Sequence, residues 1–116
     1  MSSDDLVARL SRLDSCAVSD ALDVLGVRGV ASGLFPVWEG ARLVGRAVTV
    51  KLVPGVPPPD APGVHLGVRA IERCGPGDVI VVDNGGRVDM GGWGGLLSLA
   101  ASLKKISGVV VDGACR

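Results

Sequence analysis

Two acids and one arginine in the last third of this chain stand where parallel-sheet proteins collect ligands. Asp83 ends the apolar run Asp78-Val-Ile-Val-Val-Asp83, and Asp112 ends Gly108-Val-Val-Val-Asp112. Ligands of open parallel sheets gather at the carboxyl ends of the strands. Arg116 follows Asp112 by four residues, and its planar fork suits a carboxylate. Between the two runs a glycine-rich stretch, Asn84 to Gly92, leads into a helix opening at Trp93-Gly94-Gly95-Leu96-Leu97. Free N–H groups at such an opening, together with the helix dipole, favour an anion. A small carboxylate held by Arg116 and the amides near Gly94, Gly95, Leu96 and Leu97 is the chemistry these parts suit.

The same residues have plainer uses. Asp83 and Asp112 are also good turn caps. Gly91-Gly-Trp-Gly-Gly95 fits neither the dinucleotide fingerprint nor a P-loop, since no Gly-Lys-Ser/Thr follows. His65, the only histidine, falls in a predicted helix and reads as a surface or satisfied core residue rather than a catalyst. Trp93 reads as packing rather than a stacking platform. Arg46, inside a predicted strand, should snorkel or pair with an acid.

Several elements must position these groups. Ser2, Ser3, Asp4 and Asp5 carry helix-start chemistry, and Leu6, Val7, Leu10 and Leu13 share one face, which predicts a helix to about Asp14. A second helix is expected from Ser19 as cap, burying Ala21, Leu22 and Leu25 and stopping at Gly26. Residues 41–53 alternate well enough for one long strand, with Val44, Val48, Val50 and Leu52 on one face. Pro54 to Pro62 hold five of the seven prolines and form a rigid, exposed loop. Val64, Val68 and Ile71 mark a short helix, and Gly75-Pro76-Gly77-Asp78 is a turn. Asp78–Asp83, a helix from Trp93 to about Lys105, and Gly108–Asp112 then make a βαβ unit whose crossover should be right-handed. With no internal repeat and no linker, one domain is expected.

Composition narrows the function classes. Twelve Lys plus Arg balance twelve Asp plus Glu, and no basic stripe interleaves with aromatics, so nucleic-acid binding is not the expected role. The aromatic residues are Phe35, Trp38 and Trp93, so the core must come from Val, Leu, Ile and Ala. A thin core and zero net charge favour self-association. Cys16, Cys74 and Cys115 form no C-x-x-C pair and read as buried free thiols in a reducing compartment. Met1 to Leu10 lack the apolar run of a signal peptide, and the apolar runs are too short for a bilayer, so a cytoplasmic protein is expected.

The motifs together resemble the RraA-like family. They are Ala17-Val-Ser-Asp-Ala-Leu-Asp23 with Leu25-Gly26, Val44-Gly-Arg-Ala-Val-Thr-Val50, and Ala70-Ile-Glu72 with Pro76-Gly-Asp-Val79. Val81-Val-Asp83, Trp93-Gly94 with Leu96-Leu97, and Gly108-Val-Val-Val-Asp-Gly113 with Arg116 complete the set. The resemblance implies an α/β fold of the swivelling β/β/α type, assembled as a trimer or hexamer with active sites between subunits. The family includes 4-hydroxy-4-methyl-2-oxoglutarate and 4-carboxy-4-hydroxy-2-oxoadipate aldolases, which also decarboxylate oxaloacetate, and RraA, a regulator of ribonuclease E. By that likeness Arg116 binds the carboxylate of a small 2-oxo acid, helped by amides of Gly94, Gly95, Leu96 and Leu97. The aldolases use Mg²⁺ or Mn²⁺ to polarise the 2-oxo acid, easing formation of the pyruvate enolate.

Two positions depart from the aldolase pattern. An acid commonly follows the Trp-Gly pair, and here that position is Gly95. An aspartate that holds the metal follows the arginine, whereas the sequence ends at Arg116. Residues 1–116 are thus expected to form a single RraA-like domain lacking its C-terminal part, a further chain or segment completing it. The candidate catalytic positions are Arg116, Asp112 and Gly95, and no residue present is expected to ligate the metal. Three functions stay open: a lyase cleaving 2-oxo dicarboxylic acids to pyruvate, a non-catalytic regulator of the RraA type, and a pocket repurposed for a biosynthetic reaction.

Overall fold

Capping chemistry sets the first elements more tightly than hydrophobic pattern does. The computed structural model describes residues 1–116, which divide into two units, Met1–Val44 and Gly45–Arg116. In the first, helix α1 (Ser3–Leu10) opens on a capping box. The Ser2 hydroxyl accepts from the Asp5 N–H, and the Asp5 carboxylate accepts from the Ser2 N–H, both at 3.1 Å. The helix stops at Leu10, short of the predicted Asp14, because Asp14 serves the next element. Its Oδ1 accepts from the Ala17 N–H at 2.8 Å and caps α2 (Ser15–Leu25). Ser19, the expected cap, therefore lies inside α2. Gly26 ends α2 in the left-handed region at φ 68°, as predicted. Arg42 reaches the intervening turn, its Nη2 donating to the carbonyls of Ser11 and Leu13. The expected burial of Ala21, Leu22 and Leu25 is not seen: neither helix has a buried residue, and Leu25 is 71% exposed.

The second unit is a parallel three-stranded sheet in the order β1-β2-β3: β1 (Ala47–Lys51), β2 (Val79–Asp83) and β3 (Gly108–Asp112). Helix α3 (Leu66–Arg73) connects β1 to β2, and α4 (Gly95–Leu103) connects β2 to β3. The long strand predicted over 41–53 is only five residues. Its first rung joins the Val79 N–H to the Arg46 carbonyl at 2.9 Å, and the turn at Gly75–Asp78 leaves the segment before Arg46 no strand beside it. That turn forms as expected, with Gly77 at φ 84° and the Asp78 N–H donating to the Gly75 carbonyl.

Asp78 is buried beside the turn, and one of its carboxylate oxygens takes two donors. Its Oδ2 accepts from the Gly75 N–H at 2.8 Å and from Arg46 Nη2 at 3.1 Å. The backbone hydrogen bond from Gly75, then the pairing with Arg46, hold its carboxyl below the usual carboxylate range. Arg46 thus meets an acid, as its sequence position suggested. Desolvation first and the charge of Asp78 second push the buried Cys74 thiol up. Cys16 and Cys115 are exposed, which corrects the expectation that all three thiols are buried.

Register divides the sheet into two faces. Val48, Ile80 and Val109 are in register, as are Val50, Val82 and Val111, and this parity packs against Ala70 of α3 and Leu97 and Ala101 of α4. Trp93 joins the same core at 6% exposure, its Nε1 donating to Ser98 Oγ at 2.9 Å. The helices touch closely: a Cβ on Gly67 of α3 would stand 2.7 Å from Leu97 Cδ1. Lys104 Nζ, beyond α4, donates to the carbonyls of Ile71 and Glu72. The opposite face carries Thr49, Val81 and Val110, then the row Lys51, Asp83 and Asp112.

Candidate functional site

The loops after β2 and β3 are laced together at the carboxyl end of the sheet. The Asn84 and Gly86 N–H groups donate to the Asp112 carbonyl, and the Ala114 N–H donates to the Arg87 carbonyl at 2.8 Å. The Gly92 N–H reaches the Ala114 carbonyl at 2.7 Å, and the Arg116 N–H reaches the Trp93 carbonyl at 3.0 Å. This lacing carries Arg116 to the start of α4. Its Nε lies 3.4 Å from where a Cβ on Gly94 would stand, so a side chain there would crowd the guanidinium.

The start of α4 is built without a side-chain cap. Gly94 is the N-cap in extended conformation, and the first intrahelical bond runs from the Ser98 N–H to the Gly94 carbonyl at 3.0 Å. The N–H groups of Gly95, Leu96 and Leu97 therefore have no intrahelical acceptor. Gly95 is exposed and helical, and a Cβ added there meets nothing within 4 Å. Leu96 is 84% exposed, while Leu97 turns into the core. The guanidinium of Arg116, free amides and a helix dipole thus share one rim, an arrangement that suits a small carboxylate.

The two aspartates lie differently. By register Asp83 and Asp112 share the sheet face away from the helices, and no ion pair joins Asp112 to Arg116. Asp83 Oδ1 accepts from the Gly85 N–H at 2.9 Å, the turn-capping use foreseen as its plainer role. Asp112 Oδ1 stands by the Gly86 backbone, 3.9 Å from a Cβ built there. No group of three or more His, Cys, Asp or Glu side chains gathers anywhere in residues 1–116. These residues alone form no cage of three or more side-chain ligands for a divalent metal.

Three residues beside the rim were not singled out in the sequence as site residues. Asn84, 1% exposed, uses both ends of its side chain: Nδ2 donates to the Met90 carbonyl at 2.7 Å and Oδ1 accepts from Arg87 Nη2 at 2.8 Å. Arg87 Nη2 also donates to the Leu52 carbonyl at 3.1 Å, tying the loop after β1 to the other two. His65 is the N-cap of α3, not a residue within it, and its Nδ1 accepts from the Gly67 N–H at 3.1 Å. All three line a cavity of about 270 Å³. Asn84 had one signal, since it continues the buried parity of Ile80 and Val82 past the strand end.

Comparison with known proteins agrees with this architecture. The family model described as RraA-like, Aldolase/RraA, matches residues 15–116, and the chain belongs to that family. A Halalkalibacterium halodurans protein with the provisional name 4-hydroxy-4-methyl-2-oxoglutarate aldolase is 34% identical, over 97% of this chain and 49% of its own length. Protein DlpA of Legionella pneumophila is also 34% identical, over 97% of this chain and 18% of its own. The chain thus spans half or less of these relatives. The crystal structure of Streptomyces coelicolor RraAS2, described as an unusual member of the RNase ES inhibitor RraA protein family, superposes with a TM-score of 0.82. It is 32% identical, with 97% of this chain and 55% of that one covered. The α/β fold with a parallel sheet is therefore that of the RraA-like family. No helix is long and apolar enough to cross a membrane.

Proposed function

We propose that the chain carries the substrate-binding part of a lyase that cleaves small 2-oxo dicarboxylic acids to pyruvate. The observation that supports this most directly is Arg116, laid against Gly94 beside the uncapped start of α4. Arg116 holds the substrate's carboxylate bidentately, and the N–H groups of Gly95, Leu96 and Leu97 complete the cradle. Fixing that carboxylate orients the scissile carbon–carbon bond, and the positive rim favours the enolate charge that develops as the bond breaks. Asp112 lies at the same strand end and is the nearest candidate for proton traffic by sequence, though its carboxylate sits on the opposite face. The Mg²⁺ or Mn²⁺ implied by the family would need ligands from outside residues 1–116, so no step is assigned to it. Such groups would come from a further segment or from another subunit of a trimer or hexamer.

Gly95 supplies the test. General acid–base assistance contributes about 10²–10⁴-fold to typical enzymes. Gly95 has no positive φ and open space around its Cβ position, so Gly95→Asp is sterically free. In the complete protein it should raise oxaloacetate decarboxylation, followed as pyruvate release with added magnesium or manganese. A folded Gly95→Asp protein that gains nothing would favour the second reading, a regulator of the RraA type. The likeness to RraAS2 supports that alternative.

A further inference from the structure

The helices of this chain open in two ways. Side chains of Ser2, Asp14 and His65 accept first-turn N–H groups of α1, α2 and α3, and so use up donors there. Helix α4 opens on Gly94 and Gly95 with no side-chain cap, and its first donors stay free. Two successive glycines also have the most backbone freedom to lose, and they carry no side chain to fix where those donors point. That task falls to the residues on either side.

Trp93 immediately precedes the N-cap Gly94, and Ser98 is the fourth residue of α4. A pair of apolar side chains at these two positions commonly staples a helix start and sets the entry angle of the chain. Here the staple is a hydrogen bond, from Trp93 Nε1 to Ser98 Oγ at 2.9 Å. The indole is seated in the core, so the bond ties the first turn of α4 to a fixed body. The carbonyl of the same tryptophan accepts the Arg116 N–H at 3.0 Å. Trp93 therefore joins the two halves of the rim, Arg116 through its backbone and the free amides through its side chain. Unlike a side-chain cap, this staple takes no first-turn N–H group.

We propose that Ser98 is a positioning residue of the carboxylate site. Through Trp93 it fixes the start of α4, so that the N–H groups of Gly95, Leu96 and Leu97 and the Arg116 guanidinium meet one carboxylate. The proposal rests on the reading of Arg116 as the carboxylate anchor. Ser98 acts indirectly, since its oxygen is engaged by the indole.

The test is calorimetric titration of pyruvate into the complete protein and its variants. Ser98→Ala should weaken pyruvate about fivefold, the worth of one neutral hydrogen bond. Alanine is the better helix former, so α4 persists and the loss is read on a folded protein. Ser98→Thr keeps the hydroxyl and should restore most of the affinity. Trp93→Phe keeps an aromatic ring in the core and should show the same loss as Ser98→Ala. The double variant should lose no more than either, because both changes remove one bond. Ser102→Ala, one turn on with its hydroxyl on the Leu99 carbonyl, should bind like the parent. Where Trp93→Phe does not fold, Ser98→Ala and Ser98→Thr decide the matter. Parent-like affinity in Ser98→Ala, or losses that add in the double variant, would overturn the staple alone. A parent that binds no pyruvate would overturn the carboxylate site and the proposal with it.

Discussion

The two units of this chain use opposite means to define structure. Gly45–Arg116 has a closed core: Ile80 and Val82 are 0% and 1% exposed, and helices and strands of the unit share one apolar cluster. Met1–Val44 has no buried residue at all. Its helices are bounded by short polar contacts, from Ser2, Asp5, Asp14 and Arg42. Caps decide where a helix starts and stops but contribute only about 1 kcal/mol each, whereas burying a side chain such as Val or Ile contributes ~1.5–3. Stability should therefore reside in the second unit, and local order in the first should be separable from it.

The largest expected effect comes from the core. Ile80→Ala should cost about 2–5 kcal/mol, while Leu25→Ala should stay within about 0.5. Urea midpoints at constant slope measure both. Equal losses would mean that the first unit is held as firmly as the second.

Next comes the joint between fold and rim. Gly113 has φ 134°, and a Cβ on it would stand 2.8 Å from the Arg87 carbonyl and 3.1 Å from Asn84. Gly113→Ala should cost roughly 1–3 kcal/mol through backbone strain. It should also displace Arg116, three residues on, and so reduce pyruvate binding more than its stability loss explains. Unchanged pyruvate affinity in a folded variant would show that the lacing does not position Arg116.

An effect of similar size distinguishes the units by pH. The Asp78 carboxyl titrates below its ordinary value in the folded state, so its contribution is complete above about 3.9, the unfolded value. That contribution is lost as pH falls through the lowered value. Asp78→Asn should be destabilised by roughly 1–3 kcal/mol at neutral pH, and its gap from the parent should close below about pH 4. A gap that persists into acid would assign the effect to packing. The cooperative unfolding of Gly45–Arg116 should carry this pH dependence.

What the sequence revealed follows the same division. The apolar runs Val79–Val82 and Val109–Val111 announced β2 and β3, although the expected cover on both faces is not seen: both helices pack on one face and β3 is only half-buried. The meeting of Arg116 with the Gly94–Gly95 opening was legible from the same runs, since both follow directly from those strand ends; a carboxylate bound there is the proposal. Errors came where several residues compete for one role. Asp14, Ser15 and Ser19 are all plausible caps, and only the hydrogen bond from Ala17 to Asp14 decides among them. Alternation over 41–53 suggested a longer strand than β2 can pair with. Arg87 escaped notice, and His65 was placed inside its helix rather than at the cap, because their contacts, to Leu52 across 35 positions and to a backbone N–H two residues away, leave no periodic trace.

The central claim is that Arg116 and the start of α4 make a carboxylate site. Calorimetric titration of pyruvate into the parent protein and into Arg116→Lys tests it most directly. Lysine keeps the charge but cannot reproduce the planar fork, so affinity should fall about tenfold or more with the fold intact. Equal affinity in a folded Arg116→Lys protein would contradict the assignment and make Arg116 a purely structural residue.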